Sequence, residues 1–215
     1  MRVIAGEFRS RRLKTLPGLA TRPTPDRLRE TLFNILAPVI ANSVFLDAYA
    51  GTGAVGIEAL SRGARRCVLV EKNRAAVEVI RENLATLGLE NRAEVYTGKA
   101  LPVLERVTAD IAFLDPPYEL EKEYEAALHA LGASTNRLVI AQHSSRTVLQ
   151  PEYGYLQRYR VLKQGDNSLS FYRSASSARE LSSDSTNASS SASPMGVDRQ
   201  PNTPRGETMI PPCSI

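Results

Sequence analysis

Cysteine is nearly absent from this chain of 215 residues: Cys67 lies in an apolar run and Cys213 in a polar tail. Two such residues exclude a disulfide framework and a cysteine-rich zinc site. Long apolar runs are also missing. None approaches the roughly 18 residues that a membrane span needs. The start, Met-Arg-Val-Ile-Ala-Gly-Glu-Phe-Arg, meets charge too early for the apolar region of a signal peptide. A cytoplasmic location without membrane association is therefore expected. There is no internal repeat at solenoid or propeller periods. Acidic residues are scarce at the start: residues 1–36 hold eight basic side chains against three acidic ones. Residues 37–173 hold sixteen of each, and residues 174–215 hold three basic and four acidic. The net charge of +4 thus arises in the first 36 residues. A short positive segment beside a neutral body suits a phosphate-bearing partner.

The composition divides the chain in three. Residues 174–215 are rich in Ser and contain no aromatic residue. Such a segment cannot bury enough apolar surface to offset its chain entropy, so a disordered tail is expected. Residues 1–40 form a basic N-terminal unit. Arg2–Ala5 and Arg11–Leu16 read as short strands around a Gly-Glu-Phe-Arg-Ser turn. Thr24, Pro25 and Asp26 then suit the cap and first turn of a helix whose stripe is Leu28, Leu32, Phe33 and Leu36. Arg22, Arg27 and Arg29 fall at its start or on other faces.

Residues 41–173 alternate between apolar strands and helices. Strands are expected over Val44–Ala50, Cys67–Glu71, Ala93–Thr97, Ile111–Asp115 and Leu138–Gln142. Helices are expected over Ala54–Ser61, Arg74–Leu87, Leu101–Arg106 and Glu121–Leu131. This alternation means a parallel sheet covered on both faces. Tyr155–Leu162 and Leu169–Arg173 flank Gln164-Gly165-Asp166-Asn167 and read as an antiparallel hairpin closing one edge. The fold class is α/β, a seven-stranded Rossmann-like sheet with a C-terminal hairpin.

Two motifs carry chemistry. Asp47-Ala-Tyr49-Ala-Gly51-Thr-Gly53-Ala-Val-Gly56 runs from a strand into a helix and fits G-x-G-x-x-G, with Glu71 twenty residues past Gly51. Glycines there let the backbone approach a ligand, and Glu71 can accept hydrogen bonds from ribose hydroxyls. This leaves a nicotinamide cofactor open. Asp47 speaks against it, because a dinucleotide fold normally continues its apolar strand at that point. An acid suits a ligand with a positive end and no pyrophosphate, which is the character of S-adenosyl-L-methionine. The second motif is Asp115-Pro116-Pro117-Tyr118. The prolines remove two backbone donors. A carboxylate and carbonyls remain as acceptors for an exocyclic amine, and Tyr118 can stack on a base.

The Asp115–Tyr118 tetrad resembles the signature of methyltransferases that modify exocyclic amines in nucleic acids. Arg2-Val-Ile-Ala-Gly6, the run from Arg22 to Asn34 and Gly56-Ile-Glu-Ala-Leu-Ser-Arg-Gly-Ala64 closely resemble one branch, the RsmD-type family. The resemblance spans residues 1–173. It implies S-adenosyl-L-methionine-dependent methylation of the N2 amine of a guanine in 16S rRNA of the bacterial small subunit, by a monomer without a metal. By position it implies that Asp47, Tyr49, Gly51, Gly53 and Glu71 hold the cofactor. Asp115, Pro116, Pro117 and Tyr118 would hold the base, and Arg22, Thr24, Arg27 and Arg29 would meet RNA. Two positions depart from the family pattern. Gly98-Lys99-Ala100 stands where relatives often carry an acid near the adenine, and Gln142-His143 where many carry one at the fifth strand. The other readings are a DNA amino-methyltransferase, for which 173 residues leave little room for a target-recognition domain, and a non-catalytic RNA-binding module on the same fold.

Overall fold

The computed structural model describes residues 1–16, 26–117, 121–133 and 138–174. The segment expected to be a tail lies outside the described residues from position 175 onward. The elements in chain order are α1 (Asp26–Leu36), β1 (Val44–Asp47), α2 (Ala54–Ser61), β2 (Arg66–Glu71), α3 (Arg74–Leu87), β3 (Ala93–Thr97), α4 (Leu101–Leu104), β4 (Ile111–Leu114), α5 (Glu121–Gly132), β5 (Leu138–Ser144), β6 (Glu152–Tyr153), β7 (Leu156–Gln164) and β8 (Asn167–Ser174). A single 3-10 turn, Glu90–Arg92, precedes β3. No helix among the described residues is long and apolar enough to cross a membrane.

The strands form one sheet in the order β3-β2-β1-β4-β5-β8-β7-β6. The first five are parallel, and β8 joins β5 antiparallel. Side chains alternate between two apolar clusters, as a pleated strand requires. Phe45, Phe113, Ile140 and Phe171 face one cluster, together with α1, α2, α3 and the first residues of the chain. Leu46, Leu114, Ala141 and Tyr172 face the other, with α4 and α5. Strand β6 was not expected; its two residues pair with Leu156 and Gln157 and make an eighth strand at the sheet edge.

The expected N-terminal strands reduce to a single antiparallel bridge, Arg2 to Arg12. The backbone there is partly spent on helices instead. Ile4 and Ala5 donate to the Glu58 carboxylate at 2.7 and 3.0 Å. Glu7 donates to the Ser61 carbonyl at 2.8 Å, and Phe8 to the Ser61 hydroxyl at 3.0 Å. Gly6 makes this approach possible: its φ is +83°, and a methyl group there would stand 1.9 Å from the Ser61 carbonyl oxygen. Farther on, Lys14 donates to Asn83 Oδ1 at 2.8 Å. The arm is therefore fastened to α2 at one end and α3 at the other.

Candidate active site

Parallel strands bring their C-terminal ends to one edge. Asp47 ends β1, Glu71 ends β2, and Asp115 follows β4 directly. Strands β1 and β4 are neighbours, with Asp47 opposite Phe113, so Asp115 lies two residues beyond that pairing. The glycine loop and the Asp-Pro-Pro segment thus stand side by side.

Asp47 is buried, and its Oδ2 accepts the Gly56 N–H at 2.9 Å. Burial pushes its carboxyl up to about 7, and the nearby Glu71 charge adds to this; hydrogen bonds from the Gly56 and Tyr49 backbone work in the other direction. Glu71 braces the loop with both oxygens: Oε2 accepts from Gly51 at 2.8 Å and Oε1 from Asn73 at 2.7 Å. Gly53 caps α2 with φ of 83°, a left-handed conformation that favours glycine. A methyl group added at Gly51 would meet no atom within 4 Å, so the loop borders open space there. Tyr49 is half-buried, and its hydroxyl donates to Glu123 Oε1 at 3.3 Å. Burial first, then the Glu123 charge, raise its phenol above the usual range.

At the second motif Asp115 is half-buried, Pro116 buried and Pro117 exposed. Gln142, at the end of β5, donates from Nε2 to Asp115 Oδ2 at 3.1 Å. Its own Oε1 is buried without a partner among the described residues. The buried Tyr124 hydroxyl donates at 2.8 Å to the Gln142 carbonyl and lies 3.2 Å from the Pro116 carbonyl. The carbonyls of this segment are thus not without a competing donor, as the prolines alone suggested. His143 stitches β5 to β8. Its Nδ1 lies 2.8 Å from the Ser144 carbonyl, which can only accept, so that nitrogen carries the proton. Its Nε2 then accepts from the Ser170 hydroxyl at 2.9 Å. Burial holds this imidazole below its ordinary value.

Among the expected RNA contacts, Arg27 is exposed on α1. Arg22, Thr24 and, at the second motif, Tyr118 lie outside the described residues. Arg29 corrects the expectation. Its side chain is fully buried, donating to the Arg2 carbonyl at 2.6 Å and pairing with Asp26 at 3.1 Å. Its Nε is 4.0 Å from Glu58, itself buried. An arginine so placed holds the N-terminal arm and has no surface to offer a phosphate. The signal was present: Arg29 stands three, four and seven positions before Leu32, Phe33 and Leu36, on the buried face. Glu58, the single charge in the apolar run Ala54–Ser61, marked its partner.

The family described as conserved hypothetical protein 95 matches residues 1–173. The chain is 34% identical over 182 residues to YlbH of Bacillus subtilis, whose name makes it a candidate rRNA methyltransferase; the match covers 80% of this chain and 98% of that one. It is 45% identical over 120 residues to ribosomal RNA small subunit methyltransferase D of Escherichia coli, covering 55% of this chain and 60% of the other. The chain belongs to the RsmD-type family. Its fold agrees with that membership. A solved structure of the candidate methyltransferase YhhF from Escherichia coli matches with a TM-score of 0.73 and 32% identity, covering 81% of this chain and 98% of that one. The sheet is accordingly the Rossmann-like sheet of a methyltransferase, extended in this chain by the antiparallel hairpin of β7 and β8.

Proposed function

We propose that this RsmD-type methyltransferase transfers a methyl group from S-adenosyl-L-methionine to the N2 amine of a guanine in small-subunit rRNA, working in the cytoplasm as a monomer. The observation that carries the reading is the adjacency of Asp115-Pro116 to the loop of Asp47, Gly51 and Glu71 on neighbouring strand ends. The names of the relatives support rRNA as the substrate.

The residues fit the cofactor. Asp47 is a buried acid whose proton is held only weakly at neutral pH, and a cationic ligand favours its charged form. Glu71 and the open space over Gly51 suit a ribose beside the loop. Tyr49 lines the same edge through its contact with Glu123. The bound cofactor supplies an activated methyl group, so no covalent enzyme intermediate is needed. The protein's own part is to hold the guanine. Asp115 and the Pro116 carbonyl accept the two amine hydrogens and turn the nitrogen lone pair outward, while Tyr118 stacks on the base. Gln142 keeps Asp115 in place. Fixing the amine in this way supplies positioning, which is worth several kcal/mol in well-oriented reactions. The target must leave its stack, which is cheapest in a loop. Arg22, Thr24 and Arg27 meet RNA phosphates.

Labelled cofactor offered in parallel with naked rRNA, small subunits and DNA, followed by nucleoside mass spectrometry, tests this directly. Label in N2-methylguanosine from an RNA substrate is expected, and its loss in Asp115→Ala with cofactor affinity retained. Label on an adenine or cytosine amine of DNA, or full activity in the variant, would overturn it.

A further inference from the structure

The body of the chain is neutral only on average. Residues 144–174 hold five basic side chains, Arg146, Arg158, Arg160, Lys163 and Arg173, against Glu152 and Asp166. That segment is β6, β7, β8 and their connections. Arg158 is committed to the fold, since it donates to the Leu149 carbonyl at 2.8 Å. Among the described residues, the other four have no carboxylate within 4.0 Å. Elsewhere the described arginines are often neutralised, as in Arg62 with Glu58 at 2.7 Å and Arg66 with Glu94 at 2.8 Å.

Two of these unneutralised cations are organised on aromatic rings. The Arg173 guanidinium lies 5.1 Å from the centre of the Tyr159 ring. Tyr159 lies 6.2 Å from Phe171, and Arg160 caps Phe171 at 5.8 Å. Arg173, Tyr159, Phe171 and Arg160 thus form a continuous ladder across two strands. A register shift between Arg158 and Arg160 lets Tyr159 and Arg160 both reach Phe171. Phe171 is buried at the foot of the ladder, whereas Tyr159 is 45% exposed. Of the six large apolar or aromatic side chains exposed among the described residues, four, Val148, Tyr155, Tyr159 and Val161, belong to this region. Such a concentration marks an interaction surface.

We infer that β7 and β8 present a second RNA-contact surface, which takes the single-stranded sugar-phosphate backbone and bases flanking the target nucleotide. The inference rests on the proposed RNA substrate. The chemistry matches: uncompensated guanidiniums for phosphates, and an exposed tyrosine held by a neighbouring arginine for a base face. The placement matches too. Phe171 pairs with Ile140, which pairs with Phe113, two residues before Asp115. Strands are about 4.8 Å apart and residues about 3.3 Å, so Arg160 lies roughly 15 Å from Asp115, within reach of the same RNA segment. Phe171 also shares its apolar cluster with α1, so the ladder and the exposed Arg27 border one face of the sheet. Charges on an edge strand also guard against edge-to-edge pairing, but that purpose does not need arginines stacked on aromatic rings, one of them the exposed Tyr159.

The test uses the full chain with a labelled single-stranded oligoribonucleotide and with a small-subunit rRNA transcript. The double variant Arg160→Gln, Arg173→Gln should weaken both, and its log-affinity against log-salt slope should be shallower by about 1.4, the release expected for two single-strand phosphate contacts. Tyr159→Ala should weaken oligoribonucleotide binding about tenfold. Cofactor affinity should be unchanged in both variants. Ultraviolet crosslinking of the unmodified protein gives a readout independent of variant folding, and nucleotides attached to the peptide 156–174 are expected. RNA affinity and slope unaltered in the variants, or crosslinks confined to residues 1–36, would overturn the surface while leaving the proposed substrate standing. Assembled small subunits form a third arm: binding to them lost in the variants, with binding to both RNAs unaltered, would overturn the inference in favour of a protein partner. Absence of RNA binding by the unmodified protein, with cofactor binding intact, would instead remove the proposed substrate.

Discussion

Gln142 holds Asp115: its amide, on the strand next to the one that Asp115 follows, donates to the carboxylate at 3.1 Å. The amide oxygen of Gln142 is left buried without a partner among the described residues. A buried orphan acceptor costs about 1–3 kcal/mol, so the side chain is not there for stability. Gln142→Met should leave the unfolding midpoint unchanged or raise it, while kcat falls about 10- to 100-fold and cofactor affinity holds. Gln142→Glu should set a second carboxylate against Asp115 and shift the pH–rate profile upward, because two such groups cannot both ionise easily. A fall in stability that parallels the fall in kcat would reduce Gln142 to a structural residue.

Asp47 makes a pH prediction with a definite sign. Its carboxyl is raised to about 7 in the folded protein, against about 3.9 in an unfolded chain. Between these values the native state holds a proton that the unfolded state has released. Its contribution to stability is therefore full below about pH 4 and is lost as pH rises to about 7, by on the order of 4 kcal/mol. His143, lowered by burial, acts in the opposite sense below its ordinary value. The useful comparison is thus with Asp47→Asn, which keeps an acceptor for Gly56. Urea unfolding at pH 5 and pH 8 should show the variant gaining on the wild type at the higher pH. Parallel pH slopes in the two proteins would contradict this.

The Arg29–Glu58 contact predicts a separation of stability from RNA affinity. Glu58→Ala should cost about 3–5 kcal/mol, since it leaves the buried guanidinium with the exposed Asp26 as its one carboxylate and frees the Ile4 and Ala5 amides. Arg29→Met should lower the melting temperature less and leave the salt slope of RNA binding unaltered. Arg27→Glu, on the exposed side of α1, should do the reverse. An Arg29→Met variant that folds normally but loses RNA affinity would restore the arginine to the RNA surface.

Gly6 gives a purely steric prediction. A methyl group there meets the Ser61 carbonyl at 1.9 Å and a backbone φ of +83°. Gly6→Ala should therefore destabilise the protein by about 1–3 kcal/mol, read by thermal unfolding. An unchanged melting temperature would mean that the arm docks differently.

Much of this fold was legible because local signals and tertiary needs agreed. The structure returns Ala54–Ser61, Arg74–Leu87 and Ala93–Thr97 with the expected bounds. The middle one is closed by Asn73, whose side chain accepts from Ala75 and Ala76, and by Gly88 in a left-handed conformation. What stayed hidden depended on partners distant in sequence. The N-terminal strands gave way because their amides found Glu58 and Ser61, more than fifty positions away. Arg29 was read by its charge, although its helical position placed it inside. Gln142 and Tyr124 carry no motif, and only the closing of the sheet sets them against Asp115 and Pro116. The hairpin's charge was masked by averaging over a segment whose remainder is acidic.

Asn83 joins two regions that the sequence keeps far apart. This single buried amide accepts from the Lys14 amide at 2.8 Å and donates at 3.2 Å to the carbonyls of both Lys14 and Thr52, the latter inside the glycine loop. The end of the arm and the cofactor loop therefore share one clasp, and whatever stills one of them lowers the cost of stilling the other. Thermodynamic reciprocity then applies: if the cofactor strengthens RNA binding through this clasp by some factor, RNA must strengthen cofactor binding by the same factor. The enzyme would then hold either ligand more weakly alone than in the presence of the other.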